Sequence, residues 1–287
     1  WRTWLRARLL GPSDCIQLQA ARQPTKKDTM PTRHALLSFL LLAICTLGQC
    51  APASATKQVD TYGCSDAVTQ RIGRHFKLPD FVAPQWRAER LIAGMCKALP
   101  GDPAKLLAAF AYDDGTEYEK QLLLAIVDRP TTRVVASYQG LIAEDGDTAV
   151  RRDSLKLDTA RYPLSHSTHA FGLRLSTFLD RCGLEAGWGD ELTLFVVEGR
   201  RIRPVLSETM SRWRYGQGRR CAGEAVGIST VDIQISVAPT RPHGFADLQL
   251  TAKRSDRKKP LRANLRYDGR QYALKPWHKT FETWWEP

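Results

Sequence analysis

The chain of 287 residues carries 42 lysines and arginines against 30 aspartates and glutamates, a formal net charge of +12, and 43% of its residues are hydrophobic. That length buries a sizeable core and suits one substantial domain or two small ones. A basic excess suits contact with anionic material, but arginine is spread along the chain, and nucleic acid is not the expected partner.

Residues 1–29 hold six arginines or lysines ahead of any long apolar run and read as an upstream leader outside the fold. A long basic start to an unusual signal is the alternative. Residues 30–55, MPTRHALLSFLLLAICTLGQCAPASA, read as an export signal. A short basic start with Arg33 and His34 precedes an apolar run from Ala35 to Leu47, and Ala53-Ser54-Ala55 offers the small residues that a signal peptidase accepts. The run is too short for a hydrocarbon core that needs about twenty residues. The sequence therefore predicts cleavage after Ala55, no transmembrane segment in the mature chain, and a periplasmic or secreted destination. Leu47-Gly48-Gln49-Cys50 approximates a lipoprotein box, but Gln49 occupies the place of a small residue, so lipidation at Cys50 ranks second. Seven basic and two acidic residues lie before residue 56, which lowers the mature net charge to +7.

Four cysteines remain after processing: Cys64, Cys96, Cys182 and Cys221. An even number in an oxidising compartment predicts disulfides, with three connectivities open. Cys64 with Cys96 and Cys182 with Cys221 is the local arrangement, and each bond closes a loop worth about 3.5–4 kcal/mol in the chain-entropy estimate. A four-thiolate metal site lacks any CxxC pair.

Residues 56–287 are expected to form one mature domain, divided into a helical cap at 62–99, a β region at 104–275 and an aromatic tail at 276–287. In the cap, Ser65 suits an N-cap ahead of Val68, Ile72 and Phe76, and Pro79 stops that helix. A second helix is read from Pro84, its stripe formed by Ala88, Leu91, Ile92, Met95 and Leu99. The two make a hairpin tied by Cys64 and Cys96.

Beyond Pro103 the texture becomes short strands: 105–112, 121–127, 133–138, 170–175, 192–197, 202–206, 231–237, 247–252, 261–266 and 271–274. They are separated by Gly, Pro and Asp clusters with no helical spacers. This pattern predicts a mainly β fold, an antiparallel sandwich or barrel carrying the short N-terminal helical hairpin. Tight turns are marked by Glu198-Gly199 and Asp268-Gly269. In the tail, Trp277, Phe281, Trp284 and Trp285 fall at i, i+4, i+7 and i+8, one face of a short helix beginning near Pro276.

The run His243-Gly244-Phe245-Ala246-Asp247-Leu248 is followed by Leu265-Arg266-Tyr267-Asp268-Gly269-Arg270-Gln271-Tyr272. This glycine-aromatic-x-Asp-Leu strand and Tyr-Asp-Gly-x-x-Tyr hairpin resemble the ending of uncharacterised exported proteins of Gram-negative bacteria. Cys96-Lys97-Ala98-Leu99-Pro100 and Leu157-Asp158-Thr159-Ala160-Arg161-Tyr162 are similar to segments of the same proteins. The resemblance implies periplasmic export and a mostly β domain, and brings no catalytic residues. The Gly-x-x-Asp-Leu element is faintly similar to FG-GAP repeats, whose calcium-loop aspartates are missing here.

No motif fixes a reaction. His166 and His169 give an HxxH spacing without the adjacent glutamate of a zincin, and a strand would point them to opposite faces. Asp113, Asp114, Glu117 and Glu119 crowd four carboxylates between two strands, but off the calcium-loop spacing, so a solvated turn is the reading. The sequence calls for no cofactor and no metal. Candidate binding residues are the basic loop of Lys253, Arg254, Arg257, Lys258 and Lys259, suited to phosphates or an acidic partner, and Trp277, Trp284 and Trp285 of the tail. The sequence thus predicts a noncatalytic envelope protein that binds a partner or an anionic surface polymer. A cell-envelope hydrolase using the carboxylates near Asp114 is the alternative.

Overall fold

The computed structural model describes residues 64–78, 81, 90–179, 184–216, 227–242 and 244–286, which belong to one compact unit spanning Thr56–Pro287. The leader, the signal segment, Cys50, Cys182 and Cys221 lie outside the described residues.

The first helix, α1 (Asp66–Phe76), starts where Ser65 takes an extended conformation and its hydroxyl accepts the Val68 N–H at 3.4 Å. It stops at Lys77, a left-handed residue followed by a Leu78 N–H that closes back on the Gly73 carbonyl at 2.9 Å. Val68 and Ile72 face the protein. Cys64 is bonded to Cys96, as expected, but the partner of α1 is a strand. Leu91–Leu99 forms β1 rather than the second helix of a hairpin.

The reason for that difference is burial on both faces. Leu91 and Cys96 pack outward under α1, whereas Ala93 packs inward, with a bulge between Leu91 and Ala93. A strand covered on both sides reads as a continuous apolar run, which a helical template fits equally well. Gly94 tips the balance, because glycine costs a helix interior about 1 kcal/mol and here its missing side chain admits the Phe110 ring. A Cβ at Gly94 would lie 2.6 Å from Phe110 Cε1.

β1 opens an antiparallel meander with β2 (Asp102–Tyr112), β3 (Glu119–Asp128) and β4 (Val134–Ala143). A second antiparallel group comprises β5 (Leu155–Pro163), β6 (His169–Leu175), β8 (Glu191–Glu198) and β9 (Arg201–Thr209). A parallel bridge between Ser137 and Arg201 joins the two groups into one eight-stranded sheet, ordered β1-β2-β3-β4-β9-β8-β6-β5. The sheet curls until its edges meet in a nearly closed barrel.

Side chains seal the seam between β1 and β5. Lys97 Nζ donates to the Leu157 carbonyl at 2.7 Å, and the Leu157 N–H donates to Met95 Sδ at 2.9 Å. Edge groups that would otherwise invite another chain are thus occupied. The interior is filled by residues including Leu107, Leu124, Ile126, Phe171 and Phe195. Phe171 and Phe195 stack with centroids 5.7 Å apart. The opposite face of β2 and β3, with Phe110, Tyr112, Leu123 and Val127, is closed by α1 and Phe81.

The remaining strands form a second sheet, ordered β13-β12-β11-β10-β7: β7 (Ala186–Trp188), β10 (Ser211–Tyr215), β11 (Ile228–Val237), β12 (Leu248–Arg254) and β13 (Leu261–Leu265). Its apolar side, including Val231, Ile233, Leu248 and Leu250, shares a core with Leu192, Leu194 and Val205 on the outside of the barrel. The tail folds as α2 (Lys275–Trp285), and Trp277, Phe281 and Trp285 enter this same core. The fold is therefore mainly β, barrel and sandwich at once. Residues 271–274 are not a strand: the hairpin read there closes with a lone Tyr267–Tyr272 bridge, and Gly269 supplies the positive φ of its turn. β5 and β10 carry too many polar residues to register as apolar runs, and β7 is only three residues long.

Candidate binding face

β12 alternates sides, so Leu248, Leu250, Ala252 and Arg254 all point into the protein. Arg254 is consequently a structural cation rather than a loop cation, with its side chain 2% exposed. Nε and Nη2 donate to Asp256 Oδ1 and Oδ2 at 2.8 and 2.7 Å. Nη1 donates to the Trp284 and Trp285 carbonyls at 2.9 and 3.2 Å. The last carbonyls of a helix lack intrahelical partners and carry partial negative charge. α2 has no basic residue in its own last turn, and Arg254 supplies that charge from the neighbouring sheet.

The sequence candidates thus divide into two sets. Arg254, Trp277 and Trp285 are buried in the joint between sheet and helix, with Trp277 only 1% exposed. Lys253, Arg257, Lys258 and Lys259 are exposed on the strand end and loop between β12 and β13, and none forms an ion pair among the described residues. Trp284 is half-buried and stands between the sets.

Trp284 lines a groove of about 570 Å³, open to solvent, with Leu261 at the start of β13 and Pro276, Lys279, Thr280 and Thr283 of α2. The helical residues recur every three or four positions, so they share one side of α2. The Thr280 and Thr283 hydroxyls donate to the carbonyls of Pro276 and Lys279 at 3.0 and 3.2 Å, leaving their lone pairs toward solvent partners. Leu261 follows the basic loop directly, which brings the apolar floor and the cations to the same end of the molecule.

The sequence did not disclose the charged layer beneath this face. Arg212 and Arg214 of β10 lie on the inner side of the second sheet, opposite Val231 and Ser229. Arg212 sits 5.0 Å from the Phe281 ring centroid and pairs with Glu282 at 2.8 Å. Arg214 sits 4.5 Å from the Trp285 centroid, while Arg254 lies against both Trp284 and Trp285. Guanidinium planes stack on aromatic faces and tolerate partial burial better than ammonium groups. The helix is fixed again by His278, whose Nε2 lies 2.7 Å from the buried Glu208 Oε2 on β9.

The other sequence candidates are occupied locally. Asp113 Oδ1 accepts the Gly115 N–H, and Asp114 accepts Thr116 N–H and Gln121 Nε2, both at 2.9 Å. Hydrogen bonds from Thr116 and Gln121 hold the Asp114 carboxyl below its ordinary value. The cluster is a self-capped hairpin turn. His166 and His169 are exposed, and among the described residues no three His, Cys, Asp or Glu side chains gather as metal ligands.

One nucleophile and base pair escaped the sequence reading. His75 Nε2 of α1 lies 3.2 Å from Ser137 Oγ of β4, and burial followed by the Arg200 charge lowers the His75 pKa. The contact is exposed, and neither residue lines the groove beside Trp284. No helix among the described residues is long and apolar enough to cross a membrane. No family model, curated protein or solved structure matches the chain.

Proposed function

We propose that the chain is a noncatalytic binding protein of the cell envelope, exported through its Met30–Ala55 segment, that holds an anionic surface polymer on the face formed by the β12–β13 loop and the α2 groove. The observation that carries this reading is the contrast between Arg254, whose charge is spent inside the fold, and Lys253, Arg257, Lys258 and Lys259, whose charges are exposed and unpaired among the described residues. Unpaired cations beside a half-exposed tryptophan attract phosphates or sulfates at long range and offer a ring for contact at short range. The Cys64–Cys96 bond supports a destination in an oxidising compartment.

The test is retention on a sulfated polysaccharide such as dextran sulfate, with affinity measured against salt. The wild-type protein binds, and the affinity falls as salt rises. Lys258→Glu with Lys259→Glu weakens binding about tenfold or more, since each basic residue near an anionic surface is worth about 1 kcal/mol. Equal affinity in the wild type and the double variant would remove the loop from the proposed site.

A further inference from the structure

Three arginines lie on the inner face of the second sheet, and each stacks on a ring of α2. Two of them also have a carboxylate: Arg212 has Glu282 and Arg254 has Asp256. Arg214 has the ring of Trp285 and no carboxylate among the described residues. Its neighbours across the strands are small, Ala186 on β7 and Ser229 on β11, so neither flank covers the guanidinium with a long side chain. Partial burial, then the nearby charge of Arg254 and more weakly that of Arg257, lowers the Arg214 pKa, while Asp256 acts in the opposite direction. Arg212 has Glu282 to itself, whereas Arg214 and Arg254 share the counter-charge of Asp256, and that carboxylate is already held bidentately by Arg254.

We infer that Arg214 is the anchor of a phosphate-binding site, floored by the Trp285 ring and open on the flanks of Ala186 and of Ser229, whose hydroxyl is spent on Asp256, in which a phosphate group supplies the hydrogen-bonded counter-charge that Arg212 and Arg254 obtain from Glu282 and Asp256. A guanidinium offers two parallel N–H donors that match two phosphate oxygens. A cation partly withdrawn from water with no carboxylate in hydrogen-bond reach loses solvation that an oxyanion can replace. The site goes beyond the polymer-binding face, because its anchor projects from β10 rather than from the β12–β13 loop.

The experiment follows thermal unfolding with rising inorganic phosphate at constant ionic strength, using chloride as the balancing salt. The wild-type Tm rises and saturates, as it does for any ligand that binds only the folded state. Arg214→Gln abolishes the rise, and Arg214→Lys, which keeps the charge but loses the fork, shifts the midpoint about tenfold higher in phosphate. Without phosphate, Arg214→Gln melts at or above the wild-type temperature, because it removes an unpaired cation. A Tm well below wild type in that condition would show Arg214 to be satisfied within the fold and would overturn the site. An unchanged phosphate response in Arg214→Gln, or no saturable response in the wild type, would overturn it too. A sugar phosphomonoester titrated in parallel names the source: tighter binding than inorganic phosphate assigns a phosphorylated glycan, and equal binding assigns the free ion. Lys258→Glu with Lys259→Glu keeps the phosphate response, so failure of the polymer face and failure of this site are separable.

Discussion

The barrel is covered by two helices of equal length, α1 and α2, each of 11 residues and each burying one apolar side, yet the two ends are held in opposite ways. At the α1 end, aliphatic and aromatic side chains close over β1–β3, and a disulfide fixes the helix to β1. At the α2 end, rings from the helix meet guanidinium groups from the sheet, and the last carbonyls of α2 rest on Arg254. An apolar joint has nothing left to offer a ligand once it is packed. A joint built from cations holds charge at the surface of the core, and where one cation is left without a partner it can act on a solute. The proposed binding role therefore draws on the α2 end, whereas the α1 end is closed by apolar packing and a disulfide.

Truncating a ring of α2 gives the largest expected effect. Phe281→Ala empties a position with no exposed surface and removes the support of Arg212, so it is expected to cost about 3–5 kcal/mol and about 10 °C in Tm. Urea unfolding measures it. A loss below about 1 kcal/mol would mean that α2 is a dispensable appendage and that the two ends are not comparable covers. Next comes Cys64→Ser with Cys96→Ser, expected to cost about 3.5 kcal/mol for a separation of 32 residues. Amide exchange should accelerate in residues 66–76 and stay unchanged in 275–285. Acceleration at both helices would show the ends to be coupled through the barrel.

Arg254→Leu follows. The partner it leaves behind, Asp256, is 41% exposed in its side chain, so no charge is stranded in the core. The cost is that of unsupported helix carbonyls and lost ring contact, about 1–3 kcal/mol by chemical denaturation. Amide exchange localises it, with the last turn of α2 opening first.

Much of this arrangement was legible in the sequence, and the failures share a cause. The alternation of Leu248, Leu250 and Ala252 already implied that Arg254 continues the inner row, but a run of cations from Lys253 to Lys259 reads as one solvated loop. The stripe of Trp277, Phe281 and Trp285 announced α2 correctly, since 3.6-residue periodicity depends on local spacing alone. Arg212 and Arg214 alternate with Trp213 in β10, a pattern that sequence rules assign to the outside. What turns those arginines inward is the aromatic face that α2 brings from some seventy residues away, Arg212 to Glu282 being one such contact. β1 failed for the complementary reason: it is apolar on both faces because α1 and the barrel interior both need it. Charges that face a core, and strands that face two cores, are properties of the assembled layers rather than of any window of residues.

The smallest effect tests whether charge, and not mere packing, distinguishes the α2 end. Hydrogen bonds and charge from Arg254 hold the Asp256 carboxyl at about 2, below its unfolded value of about 3.9. A carboxylate with a depressed folded pKa binds fewer protons in the folded state at intermediate pH, so its contribution is complete above about pH 4 and disappears as pH falls through about 2. Asp256→Asn lacks that contribution at every pH. The Tm of the wild type should therefore exceed that of Asp256→Asn at neutral pH, by less than the Arg254→Leu effect because the pair is partly solvated. The gap should close between about pH 4 and pH 2. Taking the difference between the two proteins cancels Asp114, Asp128, Glu198 and Asp268, whose carboxyls are also lowered. A gap that persisted unchanged to pH 2 would show Asp256 to act through shape alone, and the α2 end would then be held by packing in the same sense as the α1 end.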